Sequence, residues 1–282
     1  MSTGAGVPGH LESEFATAVR ARAQVASAIR QETLPKGMVL SAPRFTTGAT
    51  VTVQASQNAA VSDTDPASGV TTFPIATLAG QVDLSLQLLE QSPGSFEAAI
   101  ATELGGALGA RREAQVIAGT GTSGEMRGLL NVAGLSASTY TDGTPTPAEL
   151  VAAIGQAWSD QATALGYGTS MMVGHPRRLA WIAAKLGYAL PDPFLAGQAI
   201  PSVGIPTNLG AGTNEDAVIF LDPQAAALYS RPPRFRVLTD IGDAEVSKLT
   251  VRIQVYQLAS LVVSQPLAVG KLTGTGLVTP TW

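Results

Sequence analysis

The chain has 282 residues, no cysteine and a formal net charge of −4, which excludes a disulfide framework, thiolate metal sites and a tight cationic grip on nucleic acid. Charged residues make up 13% and hydrophobic ones 45%, against roughly 25% charged in an ordinary globular domain. Two readings of that shortage stay open: an alanine-rich protein, or a surface largely covered by other subunits.

The first residues, MSTGAGVPGHLESEF, lack a basic segment followed by an apolar core, so no signal peptide is expected. No uncharged apolar run approaches the ~20 residues of a membrane helix, and a soluble chain with no membrane partner is expected. From Leu11 to Gln31, Phe15, Ala18, Val19, Arg22, Val25, Ala26 and Ile29 recur at helical spacing, predicting an N-terminal helical arm ended by Pro35 and Gly37. Arg20, Arg22, Arg30 and Lys36 alternate with Glu12, Glu14 and Glu32, a pattern that reads as a solvated helix face.

TVTVQAS (Thr50 to Ser56) alternates with Val51, Val53 and Ala55 on one face. Asp63, Asp65, Pro66 and Gly69 form a polar tip, and the chain returns through TTFPIATLAGQVDLSLQLL, where Val82, Leu84 and Leu86 alternate. This predicts a long β-hairpin with too few large apolar residues for a core of its own, so it must lie on something else. Ser92 and Pro93 then signal a helix start. Phe96, Ile100, Leu104, Ala107, Leu108, Arg111 and Ala114 continue that helix to Ala118 despite Gly105, Gly106 and Gly109.

Gly119, Gly121 and Gly124 spell GTGTSG, a formal GxGxxG. A dinucleotide fingerprint follows a strand and opens a helix, whereas these glycines close a helix and open a loop. The expected reading is a turn, with Gly119 as a left-handed C-cap and no cofactor. Beyond it, Thr146-Pro147 predicts a helix start. GTSMMVGHPRRLAWIAAKL predicts a buried strand, a turn and a helix. VIFLDPQAAALYS predicts a strand and an Asp-Pro helix start before a further strand. Leu249, Val251, Ile253 and Val255 alternate in a closing strand, and LASLVVSQPLAVGKLTG is expected to continue the same sheet.

Catalytic chemistry is sparse. His10 and His175 are the only histidines. His175 precedes Pro176 at a strand-to-helix turn and reads as structural. No HExxH, His-Cys cluster or EF-hand spacing supports a metal. Asp63 and Asp65 read as loop acids, Asp192 and Asp222 as turn or cap residues beside proline, and Ser123 in GTSGE lacks the spacing of a nucleophile elbow. No catalytic, cofactor-binding or metal residue is assigned, and an enzyme is not expected.

The order of arm, hairpin, long helix, GTGTSGEMRGLL loop, α/β segment and closing strands resembles the major capsid proteins of tailed bacteriophages, the Hong Kong 97-type fold. AGTGTSGEMRGLLN (Ala118 to Asn131) is similar to the family's NGxGxxxxxGLL loop, VGHPRRLAWIAAKL to its NPxxxxxLxxLKD segment, and PSVGIPT to its LxGxPV turn. The resemblance implies an α+β fold divided into an N-terminal helical arm (1–37), an extended hairpin loop (38–82), a peripheral domain with a spine helix (83–126), an axial domain (127–240) and peripheral closing strands (241–282). It implies hexamers and pentamers of this chain in an icosahedral shell of the virion, assembled in the bacterial cytoplasm around double-stranded DNA that is only weakly contacted. A portal protein, scaffolding supplied in trans and an outer decoration protein are the other implied partners; an encapsulin-type compartment is the first alternative, and a nucleotide-binding enzyme using GTGTSG a remoter one. The arm begins within about ten residues of Met1, so scaffolding is expected from a separate protein. No lysine lies between Lys36 and Lys185 and no asparagine after Asn214, so the hairpin-lysine cross-link of the founding member lacks its donor and usual acceptor.

Overall fold

Two β-sheets, one on each side of the end of a long helix, organise the computed structural model, which describes residues 22–37, 39–45, 51–54, 56–57, 65, 67–91, 95–186, 198–238 and 250–281. In chain order the elements are α1 (Gln24–Ala28), β1 (Arg30–Thr33), β2 (Val39–Phe45), β3 (Ser68–Pro74), β4 (Ala76–Ser85), α2 (Leu86–Gln91) and the spine helix α3 (Ser95–Ala118). They continue through β5 (Ser136–Thr139), α4 (Pro147–Leu165), β6 (Met171–Gly174), α5 (Pro176–Leu186), β7 (Gln198–Pro201) and β8 (Val218–Leu221) to β9 (Ala226–Ser230), β10 (Arg234–Leu238), β11 (Thr250–Val263) and β12 (Val269–Thr273). The molecule is mixed α and β.

The first sheet runs β1-β9-β11-β10, with β4 also on β11. Fourteen residues of β11 alternate in burial along their first ten positions, as period-two patterning requires. Ile253 and Val255 join Leu78 of β4 and pack on Leu104 and Leu108 of α3. The opposite face is polar: Arg252 donates both Nε and Nη2 to the Asp83 carboxylate, at 2.7 and 2.8 Å.

The second sheet runs β5-β12-β8-β6-β7. Its inner strands MMVG and VIFL are buried at every residue because helices cover one face and the main core the other. Val218, Phe220 and Met172 meet Leu150, Ile154 and Ile182 of α4 and α5. Ile219, Leu221, Met171 and Val173 face Val116, Ile117, Met126 and Leu129 from the spine end and Leu228 and Leu261 of the first sheet. α4 opens with a capping box, Thr146 and Glu149 each bonding the other's backbone, and closes on left-handed Gly166 (φ 87°).

Several local expectations change. The predicted helical arm is helical only over Gln24–Ala28 among its described residues, and Arg30–Thr33 instead pair in parallel with Ala227–Ser230; sheet pairing overrides helix periodicity there. The Val51–Val53 alternation forms no strand, and among the described residues no segment pairs with it. The hairpin pairs Val39–Phe45 with Ser68–Pro74 instead. Its return strand joins β11 from Ala76 onward, so Phe73, Ala76 and Leu78 are buried in the body rather than held out for a neighbour. Leu86 begins α2 and does not extend the strand. Asp222-Pro223 opens a turn, not a helix: Asp222 accepts the Gln224 N–H through Oδ1 (3.0 Å) and the Ala225 N–H through its carbonyl (3.0 Å), turning the chain into β9. β12 leaves the first sheet and pairs with β5 and β8 of the second. Ser92 and Pro93 lie outside the described residues.

Candidate assembly surface

The GTGTSG segment closes on itself. Gly119 does not adopt a left-handed conformation; that geometry belongs to Gly121 (φ 78°), Ser123 (φ 53°) and Gly124 (φ 82°). Gly119 is needed because a Cβ there would lie 2.2 Å from the Met126 carbonyl oxygen and 2.6 Å from that of Gln115. Gly128 crosses the same point, donating its N–H to the Gly119 carbonyl at 2.8 Å, where a Cβ would meet the Gly119 nitrogen at 2.5 Å. The Asn131 side chain donates to the Ala118 and Gly119 carbonyls (3.2 and 3.0 Å), capping the spine. Glu125 fills the loop mouth. It accepts from the Thr120 N–H (3.1 Å), the Thr120 hydroxyl (2.9 Å), Gln115 Nε2 (2.9 Å) and Arg111 Nη2 (3.1 Å). The Thr120 backbone bond, then the Thr120 and Gln115 side chains, hold its carboxyl below the ordinary range. A carboxylate occupies the place where a phosphate loop offers free N–H groups.

A second cluster ties three parts of the chain together. Glu113, 2% exposed, accepts the Val25 N–H on Oε1 and the Ala26 N–H on Oε2, both at 2.9 Å. The Ser202 hydroxyl donates to Oε1 at 2.6 Å and accepts the Gly204 N–H at 3.2 Å. A third cluster anchors the C-terminal segment. Asp216 and Arg178 are both wholly buried and paired at 3.1 Å, and Arg177 reaches the other Asp216 oxygen at 2.9 Å. Arg178 also donates to the Val278 carbonyl and stacks 5.7 Å from the Trp181 ring, whose Nε1 donates to the Thr281 carbonyl at 2.9 Å. His175 is half-buried beside them. Burial and the neighbouring Arg177 push its pKa down against the pull of Asp216, and its Nδ1 accepts the Arg177 N–H at 3.2 Å. That makes it a turn-former.

None of these three clusters was foreseen as such. Arg177, Arg178 and Glu113 carry no local signal of their roles, and only the folded chain brings Asp216 or the Val25 backbone to them. Ser123 is an exposed turn residue and Asp65 an exposed loop acid, while His10, Asp63 and Asp192 lie outside the described residues. Among the described residues, no group of three His, Asp or Glu side chains could hold a metal ion, and no helix is long and apolar enough to cross a membrane.

Exposed apolar residues gather on the hairpin. Val39 is 55% exposed, Val70 73%, and Val51 and Val53 are above 90%. Its root is seated on the body, where Ala42, Thr71 and Phe73 enclose a cavity of about 30 Å³ with Arg127, Val132 and Leu261. Beyond the root, the described residues 51–54 are all exposed. Exposed apolar side chains clustered in this way mark an interaction surface.

The family model described as the phage capsid family matches residues 3–274. Among solved structures, the chain is similar to the capsid of an empty GTA particle, at 20% identity and TM-score 0.67, covering 97% of this chain and 94% of that one. It is also similar to the virus-like particle from Pyrococcus furiosus (17%, TM-score 0.66, 93% and 97%). Mycobacterium phage Adephagia gives 16% identity, TM-score 0.65 and 91% coverage of both chains. No curated protein matches the chain.

Proposed function

The chain belongs to the phage capsid family and is a structural capsid protein, and we propose that it assembles with copies of itself, as hexamers and pentamers, into the icosahedral shell of a tailed double-stranded DNA phage. The observation that carries this reading is a family match spanning nearly the whole chain. In the proposed Hong Kong 97-type arrangement, residues 1–37 are the arm, 38–82 the extended loop, 83–126 and 241–282 the peripheral domain, and 127–240 the axial domain. The shell is held by non-covalent burial without isopeptide links. A portal protein, scaffolding in trans, an outer decoration protein and weakly contacted DNA are the proposed partners, with assembly in the host cytoplasm. No residue is assigned a catalytic, cofactor or metal role.

The similarity to a virus-like particle favours one second reading, a compartment shell of the encapsulin type. Electron microscopy of purified particles decides between them. Closed shells carrying a portal vertex or tail and DNA support the phage reading; closed shells filled with protein and free of DNA support the compartment. A chain that stays monomeric under all assembly conditions overturns both.

A further inference from the structure

We propose that Glu113 is a latch that seats the N-terminal strap, and that the strap and the Ser202–Ile205 turn are held or released together. α1 has only five residues, too few to persist on its own helical bonds. The first N–H groups of a helix have no partner within it, and those of Val25 and Ala26 end on the Glu113 carboxylate instead. The third donor to this carboxylate comes from a distant part of the chain, the turn after β7. Ser202 follows β7, with its own N–H on the Gly174 carbonyl of β6 at 3.0 Å, so it moves with the edge of the second sheet.

The turn also fixes where the carboxylate can be. A Cβ on Gly204 would stand 3.0 Å from Glu113 Cγ and 2.9 Å from Ile117 Cδ1, so the turn backbone lies directly on the Glu113 stem. Oε1 is shared between the strap and the turn, because it takes both the Val25 N–H and the Ser202 hydroxyl. Without the Ser202 hydroxyl the carboxylate loses the bond that fixes its orientation and is free to rotate off the two strap N–H groups. The docking of the strap therefore depends on a residue it does not touch.

Hydrogen exchange on the full chain tests this with two variants. Glu113→Gln keeps the size but offers one acceptor oxygen, leaving at least one of the two strap N–H groups facing a donor. Exchange at Val25, Ala26 and Gly204 is expected to rise at least about tenfold relative to the β8 amides, which serve as the internal reference. Ser202→Ala leaves every strap atom in place, yet exchange at Val25 and Ala26 is expected to rise roughly threefold or more. Unchanged strap exchange in Ser202→Ala overturns the coupling. So does a rise that β8 shares equally, since that reports general loosening; strap exchange unchanged in Glu113→Gln overturns the latch itself.

Discussion

Replacing Gly119 by alanine sets a methyl carbon against two carbonyl oxygens, of Met126 and Gln115, that belong to backbone and cannot swing away. The expected loss is about 3 kcal/mol, the upper part of the range for forced overpacking. Gly124→Ala has open space around its Cβ and only the positive φ to bear, so about 1 kcal/mol is expected. Urea denaturation of the two variants separates these causes; equal losses would show that conformation rather than close approach governs the loop. The position of Gly119 was legible in the sequence, as the first residue after a helical run. Its reason was not, because the opposing Met126 carbonyl is brought there by the fold. Asp216 is a starker case. Nothing near it in sequence marks it, yet Asp216→Ala strands the buried Arg178 guanidinium and is expected to cost about 3–5 kcal/mol. Proteolysis at the C-terminal segment should rise in the same variant, and a midpoint within 1 kcal/mol of the parent would mean the pair is not buried as described.

At the scale of elements, local signals held where pattern and partner agreed. The helix start at Thr146-Pro147, the MMVG strand and the alternation of β11 were readable, since each needs only its own segment's chemistry. The arm's second half, Val51–Val53 and Asp222-Pro223 were not, because whether a segment pairs depends on what the fold sets beside it. The Glu125 loop carries a pH prediction of its own. Its folded carboxyl titrates below the ordinary 4.5, so the stability it contributes is present above that value and is lost as pH falls through the depressed one. Glu125→Gln lacks this dependence. Between pH 7 and pH 3 the parent should lose more unfolding free energy than the variant, and parallel losses would assign the acid sensitivity elsewhere.

For the whole molecule, composition left open whether the scarcity of charge meant a covered surface, and one chain by itself cannot answer that. The hairpin makes the question testable. Phe45 stands opposite Ser68, so residues 46–67 can be replaced by a two-residue Asn-Gly turn without disturbing β2 or β3. The shortened chain is expected to melt as the parent does while failing to form particles in sedimentation. Normal particles from it would remove the hairpin from the assembly account. Parent particles boiled in SDS should run as one band near 28.8 kDa; a ladder surviving reductant would show covalent links between subunits.

The crossing of β12 into the second sheet has a consequence for the order of synthesis. Ser136 pairs with Gly270, and among the described residues β5 has no other strand beside it. On the ribosome, where synthesis runs at about 5–20 residues per second, β5 emerges near mid-chain and waits unpaired until almost the whole chain has been made. A polypeptide released early therefore has a gap between β5 and β8 where the missing strand belongs. Such a fragment cannot present a finished second sheet to intact copies, and truncated products are expected to enter a growing particle poorly. Nascent chains stalled with Ser264 as their last exposed residue should be cut by protease within β5, whereas chains carried past Thr273 should resist. Equal resistance would show that the sheet closes without its final strand.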